Sequence, residues 1–172
     1  MKTHPFVALV GFATLSFACG DHGPPTIAEY AEAFNAQLDA LGSEQVAHSS
    51  EISGVTNIAL IGSVELGYTQ QMDDRLARMS RLIGGMMSCV AGPASTYDLT
   101  SFAVLTQDLH SECDEHAVLM LSAHEMDGIA AEEARHQSAV GTQVEKMRRR
   151  LSMTMQPGSG YGNCAPCPSC GM

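Results

Sequence analysis

Between residues 30 and 157 the chain reads as one segment written twice, at an offset of 68 residues and without a gap. Leu41-x-Ser43-Glu44-x-x-x-His48 falls on Leu109-x-Ser111-Glu112-x-x-x-His116. The same shift lays Phe34 on Phe102, Ile61 on Ile129, Glu65 on Glu133, Met79 on Met147, Arg81 on Arg149 and Met87 on Met155. A unit of 68 residues is too long for a solenoid repeat. It has the length of a helical hairpin, whose apolar face needs a partner to cover it. Two copies predict an all-α fold: an antiparallel four-helix bundle made of two tandemly repeated helical hairpins.

Composition agrees with helices. The chain has 11 Met and no Trp, and only 5% of its residues are aromatic, a poor mix for β-strands. Its 172 residues, 45% hydrophobic, suffice for one domain with a real core. The formal charge of −10 leaves no basic stripe of the kind a nucleic-acid surface requires. No nucleic-acid partner is expected.

Met1-Lys2 precedes the apolar run Phe6–Phe17, which is too short to span a bilayer. A small residue, Ala18, then stands at a natural cleavage point. Residues 1–18 are therefore expected to be a signal peptide and the mature protein to be exported. The junction Ala18-Cys19-Gly20 resembles a bacterial lipobox. That resemblance implies a lipidated Cys19 as the first mature residue, residues 19–24 as an anchor linker, and attachment to a bacterial membrane facing the periplasm. Plain secretion with cleavage after Ala18 is the alternative.

The bundle is expected over residues 25–156. Pro24-Pro25-Thr26 carries the signals of a helix start, and the first stripe reads Ile27, Tyr30, Phe34, Leu38, Leu41, Gln45, His48, Ile52. A turn is expected at Ser49–Asn57. The second stripe reads Ile58, Ile61, Glu65, Tyr68, Met72, Leu76, Met79, Ile83, Met86, and Ala91-Gly92-Pro93 ends it. A third helix is expected from Tyr97-Asp98, with Leu99, Phe102, Leu105, Leu109, Cys113, His116 and Met120 inward. A turn near Asp127-Gly128 leads to Ile129, Glu133, His136, Val140, Val144, Met147, Leu151 and Met155.

His48, Glu65, Tyr68, His116, Glu133 and His136 thus share stripes with Ile, Leu and Met. Isolated charges in a core cost several kcal/mol, so these groups should be paired or bound to metal. Both turns within the repeats lie at one end of such a bundle. His48, Glu65, His116 and Glu133 should therefore meet near that end, with Tyr68 and His136 one turn deeper. Glu133 and His136 form a Glu-x-x-His step that projects from one helix face.

This pattern resembles the ferritin-like di-metal carboxylate bundles, themselves built from paired helical hairpins. In that family two helices give a Glu each and two give Glu-x-x-His. Here Glu133 and His136 match fully, the second helix keeps Glu65 but has Tyr68 in the His place, and the first and third present His48 and His116. His48, Glu65, His116, Glu133 and His136 suit a borderline ion such as zinc, copper(II) or iron. A hydrogen-bonded His–Glu network without an ion is the alternative.

Residues 157–172 form a Gly/Pro/Ser-rich tail carrying Cys164, Cys167 and Cys170, the spacing of a soft-metal clamp. Cys89 would serve as a fourth thiolate or as a disulfide partner, since an exported compartment favours disulfides. Cys113 is expected to be a small buried thiol. The chain has no nucleophile–base motif, phosphate loop or dinucleotide fingerprint, so it is expected not to be an enzyme. The function expected is an exported, lipid-anchored metal buffer, carrier or sensor. The alternative is a non-catalytic interaction lipoprotein with a protein partner in the envelope.

Overall fold

The computed structural model describes residues 25–89 and 93–155. The segments expected to be a signal peptide, an anchor linker and a tail, and with them Cys19, Cys164, Cys167 and Cys170, lie outside the described residues. What is described is all-helical. The helices are α1 (Ile27–Gly54), α2 (Ile61–Ser88), α3 (Pro93–Ser122) and α4 (Met126–Thr154), with a short 3-10 turn at Ile58–Leu60 before α2. Thr26 caps α1 with a reciprocal pair of bonds: its hydroxyl accepts from the Glu29 backbone N–H, and its own N–H donates to the Glu29 carboxylate at 2.6 Å.

The helices pack as a four-helix bundle. α1 lies against α2 and α4, and α3 lies against the same two helices, so each has two neighbours around a shared core. The apolar stripes face inward as the spacing predicts. Phe34, Leu38, Leu41, Met72, Met79, Leu99, Phe102, Leu109 and Met147 are fully buried. Phe34 and Phe102 meet edge to face at 5.5 Å in the centre. A second, smaller apolar cluster of Ile52, Ile61, Met120 and Ile129 lies apart from this main core. Among the described residues no helix is long and apolar enough to cross a membrane.

Three boundaries depart from expectation. Helix α1 continues through residues 49–54, so the turn is confined to the few residues after Gly54. Burial of Ile52 against Ile61 and Ile129 carries the helix past the Ser and Gly residues that suggested a turn. Ile58 consequently falls in the 3-10 turn and is exposed rather than inward. Helix α3 starts at Pro93, four residues before Tyr97, because proline's missing N–H costs nothing in a first turn. Asp127 and Gly128 lie inside the first turn of α4. Asp127 suits that place, because its charge complements the positive end of the helix dipole.

Candidate metal centre

Each helix contributes one inward polar residue at the level between the two apolar clusters. These are His48 from α1, Glu65 from α2, His116 from α3 and Glu133 from α4, none more than 5% exposed. All sit on stripes that are otherwise mainly apolar, so the packing that buries Leu41 or Ile129 buries them as well.

Their reactive atoms converge. His48 Nε2 and His116 Nε2 are 3.4 Å apart. Glu133 Oε2 lies 3.3 Å from the first and 3.5 Å from the second. Glu65 Oε2 lies 3.4 Å from His48 Nε2 and 3.6 Å from His116 Nε2. Neither oxygen of Glu65 makes a hydrogen bond, and neither does Glu133 Oε2. Buried carboxylate oxygens without donors are costly, and two of these three, Glu65 Oε2 and Glu133 Oε2, adjoin two imidazole nitrogens. His48, His116 and Glu133 form a buried group that can hold a metal ion.

A second ring of polar groups orients the first. The outer nitrogen of His116, Nδ1, is 3.1 Å from Glu132 Oε1. A carboxylate there keeps the proton on Nδ1 and leaves a lone pair on Nε2, facing the centre. His136 is one turn deeper, as expected, and does not join the four converging atoms. Its Nδ1 is 3.2 Å from Glu112 Oε1 and its Nε2 is 3.0 Å from Tyr68 Oη. The Tyr68 hydroxyl is also 2.5 Å from Gln45 Oε1. Gln45 and Gln137 both donate to Glu133 Oε1, at 3.5 and 3.2 Å, which leaves Oε2 turned inward. Arg135 spans Glu112 and Glu132, and so ties together the two carboxylates that hold the histidines.

The rings stack in two pairs. His48 lies on Tyr68 at 3.9 Å, and His116 lies on His136 at 3.8 Å. The second pair occupies positions 68 residues after the first.

Charge placement follows burial. Burial pushes the Glu65 carboxyl up to about 7, partly opposed by His48 and reinforced by Glu133. Burial also raises Glu133, but the neighbouring His48 and His116 and the bond from Gln137 outweigh it and hold the group below its usual value. Glu132 is held low in the same way by Arg135 and His116. Burial lowers His116, against the pull of Glu132. His136 drops to about 4, through burial and the neighbouring His116. Burial thus favours the neutral form of His116 and His136, the form a ligand takes.

Cys113 is a buried free thiol, pushed up to about 12 by burial and by nearby carboxylates. Cys89, buried at the end of α2, is disulfide-bonded. Glu132, Arg135 and Gln137 escaped the sequence reading as site residues. All three flank the inward stripe of α4, and only the i−1, i+2 and i+4 spacing around Glu133 would have pointed to them.

No protein-family model matches the chain, and no curated protein and no solved structure is significantly similar to it.

Proposed function

We propose that the chain is an exported, lipid-anchored metal-binding protein of the bacterial envelope, a buffer, carrier or sensor for a transition ion. His48, His116 and Glu133 are its ligands, with the Glu65 carboxylate completing the charge. One observation carries this reading: buried oxygens of Glu65 and Glu133 lack any hydrogen bond yet lie within 3.6 Å of two imidazole nitrogens. A divalent cation would satisfy both carboxylates and both nitrogens at once.

The internal repeat gives this arrangement a natural origin. Two copies of one antiparallel hairpin, facing each other, place His48 beside His116 and Glu65 beside Glu133 without separate invention of four ligands. The tail cysteines Cys164, Cys167 and Cys170, apart from any joined to Cys89, are proposed as a second, softer site for copper, with the anchor at Cys19. Tail disulfides are the competing state.

Elemental analysis of the protein exported to a periplasm tests the reading. The expected result is stoichiometric metal that persists when the three tail cysteines are changed to Ser and disappears in His116→Ala/Glu133→Gln. Loss of metal with the tail alone would move the site there. Absence of metal after loading with zinc and copper would instead favour an interaction lipoprotein whose buried layer is a hydrogen-bonded network.

A further inference from the structure

Resting on that reading, we propose that the bundle centre is a closed, four-coordinate site with Glu65 as its fourth ligand, selecting a tetrahedral divalent ion of the zinc class. The distances between donor atoms argue for it. Ligands at about 2.0–2.1 Å from a tetrahedral ion stand about 3.3–3.4 Å from one another, whereas neighbouring ligands around an octahedral ion stand about 2.8–3.0 Å apart. The His48–His116, His48–Glu133 and His116–Glu133 separations are 3.4, 3.3 and 3.5 Å. They outline one face of a tetrahedron.

Glu65 Oε2 is the donor proposed for the remaining place; it stands outside the mutually close trio of His48, His116 and Glu133, so its side chain must turn toward Glu133 when the ion binds. It is 3.4 and 3.6 Å from the two histidine nitrogens, the same spacing as Glu133 Oε2. Glu133 has Gln45 and Gln137 as donors to its other oxygen, but Glu65 has no donor for either oxygen. Of the two carboxylates, Glu65 is the one whose ionised form has no hydrogen-bond donor on either oxygen. Two carboxylates and two neutral imidazoles balance a divalent ion.

Closure follows from what surrounds the donors. Tyr68 stacks on His48 and His136 on His116, and the ligands are nearly inaccessible. The converging atoms are nitrogen and oxygen only, a set that disfavours copper(I), which prefers thiolate and thioether. A site with four protein ligands and no open position holds an ion without activating a water molecule on it.

Cobalt(II) reports coordination number, because its four-coordinate complexes absorb visible light far more strongly than its six-coordinate ones. The full chain, with Cys89, Cys164, Cys167 and Cys170 changed to Ser, is stripped with chelator and titrated with cobalt. The expected result is an intense visible spectrum, abolished by one equivalent of zinc. Glu65→Gln should lose that spectrum, and its cobalt affinity should fall by more than the roughly 10–100-fold that removal of an outer-shell partner costs. Glu65→Asp, which keeps the carboxylate, should retain a four-coordinate spectrum. A weak six-coordinate spectrum in the parent, or an unchanged intense one in Glu65→Gln, would overturn the closed four-ligand site while leaving a metal centre in place. Failure of the parent to bind cobalt or zinc would sink the metal reading itself.

Discussion

Arg135 shows how much of this layer depends on groups that never touch its centre. Its guanidinium bonds Glu132 and Glu112, and these in turn hold the outer nitrogens of His116 and His136. The side chain is 41% exposed, so its ion pairs are screened and add little to folding. Their value lies in holding two carboxylates still behind two imidazoles. Arg135→Gln is therefore expected to change stability by no more than about 1 kcal/mol in urea melts. Its metal affinity should nevertheless drop about tenfold or more in chelator competition. Equal losses in both measurements, or in neither, would show that Arg135 is only a surface residue.

At the scale of whole elements, the helices meet where Phe34 of α1 crosses Phe102 of α3. Both rings are fully buried, so Phe34→Ala should cost about 3–5 kcal/mol, measured by denaturant unfolding. That both rings face inward was legible in the sequence, since Phe34 and Phe102 occupy one repeat position on two apolar stripes; their contact was not. The same periodicity placed His48, Glu65, His116 and Glu133 inward. Helix ends were harder to read. Ser49, Ser50 and Gly54 looked like a turn, yet burial of Ile52 four residues beyond His48 outweighs their weak local preference. The second ring was not legible at all. Glu132 and Gln137 lie beside the stripe, and only the folded helix angle shows that their side chains reach back to His116 and Glu133. His136 kept the expected face but serves Tyr68 and Glu112 instead of the four converging atoms.

For the molecule as a whole, the layer makes stability depend on pH in two opposing ways. The fold holds His136 at about 4 against an ordinary 6.5. As pH falls through that interval the unfolded chain gains a proton that the folded one excludes, so stability decreases toward acid. His116 is lowered as well and acts in the same direction. Glu65 is held at about 7 against 4.5. As pH rises through that interval the unfolded chain releases a proton that the fold retains, so stability decreases toward base. The two effects oppose each other between 4.5 and 6.5. In metal-free protein, Glu65→Gln should leave only the histidine arm, and its urea midpoint should fall more steeply than that of the parent as pH is lowered through this window. Parallel pH profiles for the two proteins would contradict the assignment.

The small cluster of Ile52, Ile61, Met120 and Ile129 sits beyond the polar layer, one residue from each helix, and seals it from the turn end. On the other side lies the main core. An ion bound there as proposed would be enclosed on both sides, with its residence time governed by how often the helix ends beside the small cluster fray apart. Exchange would then be slow even where equilibrium affinity is modest. A protein that binds metal as proposed would keep it through kinetics, as a store does, rather than handing it over at each encounter.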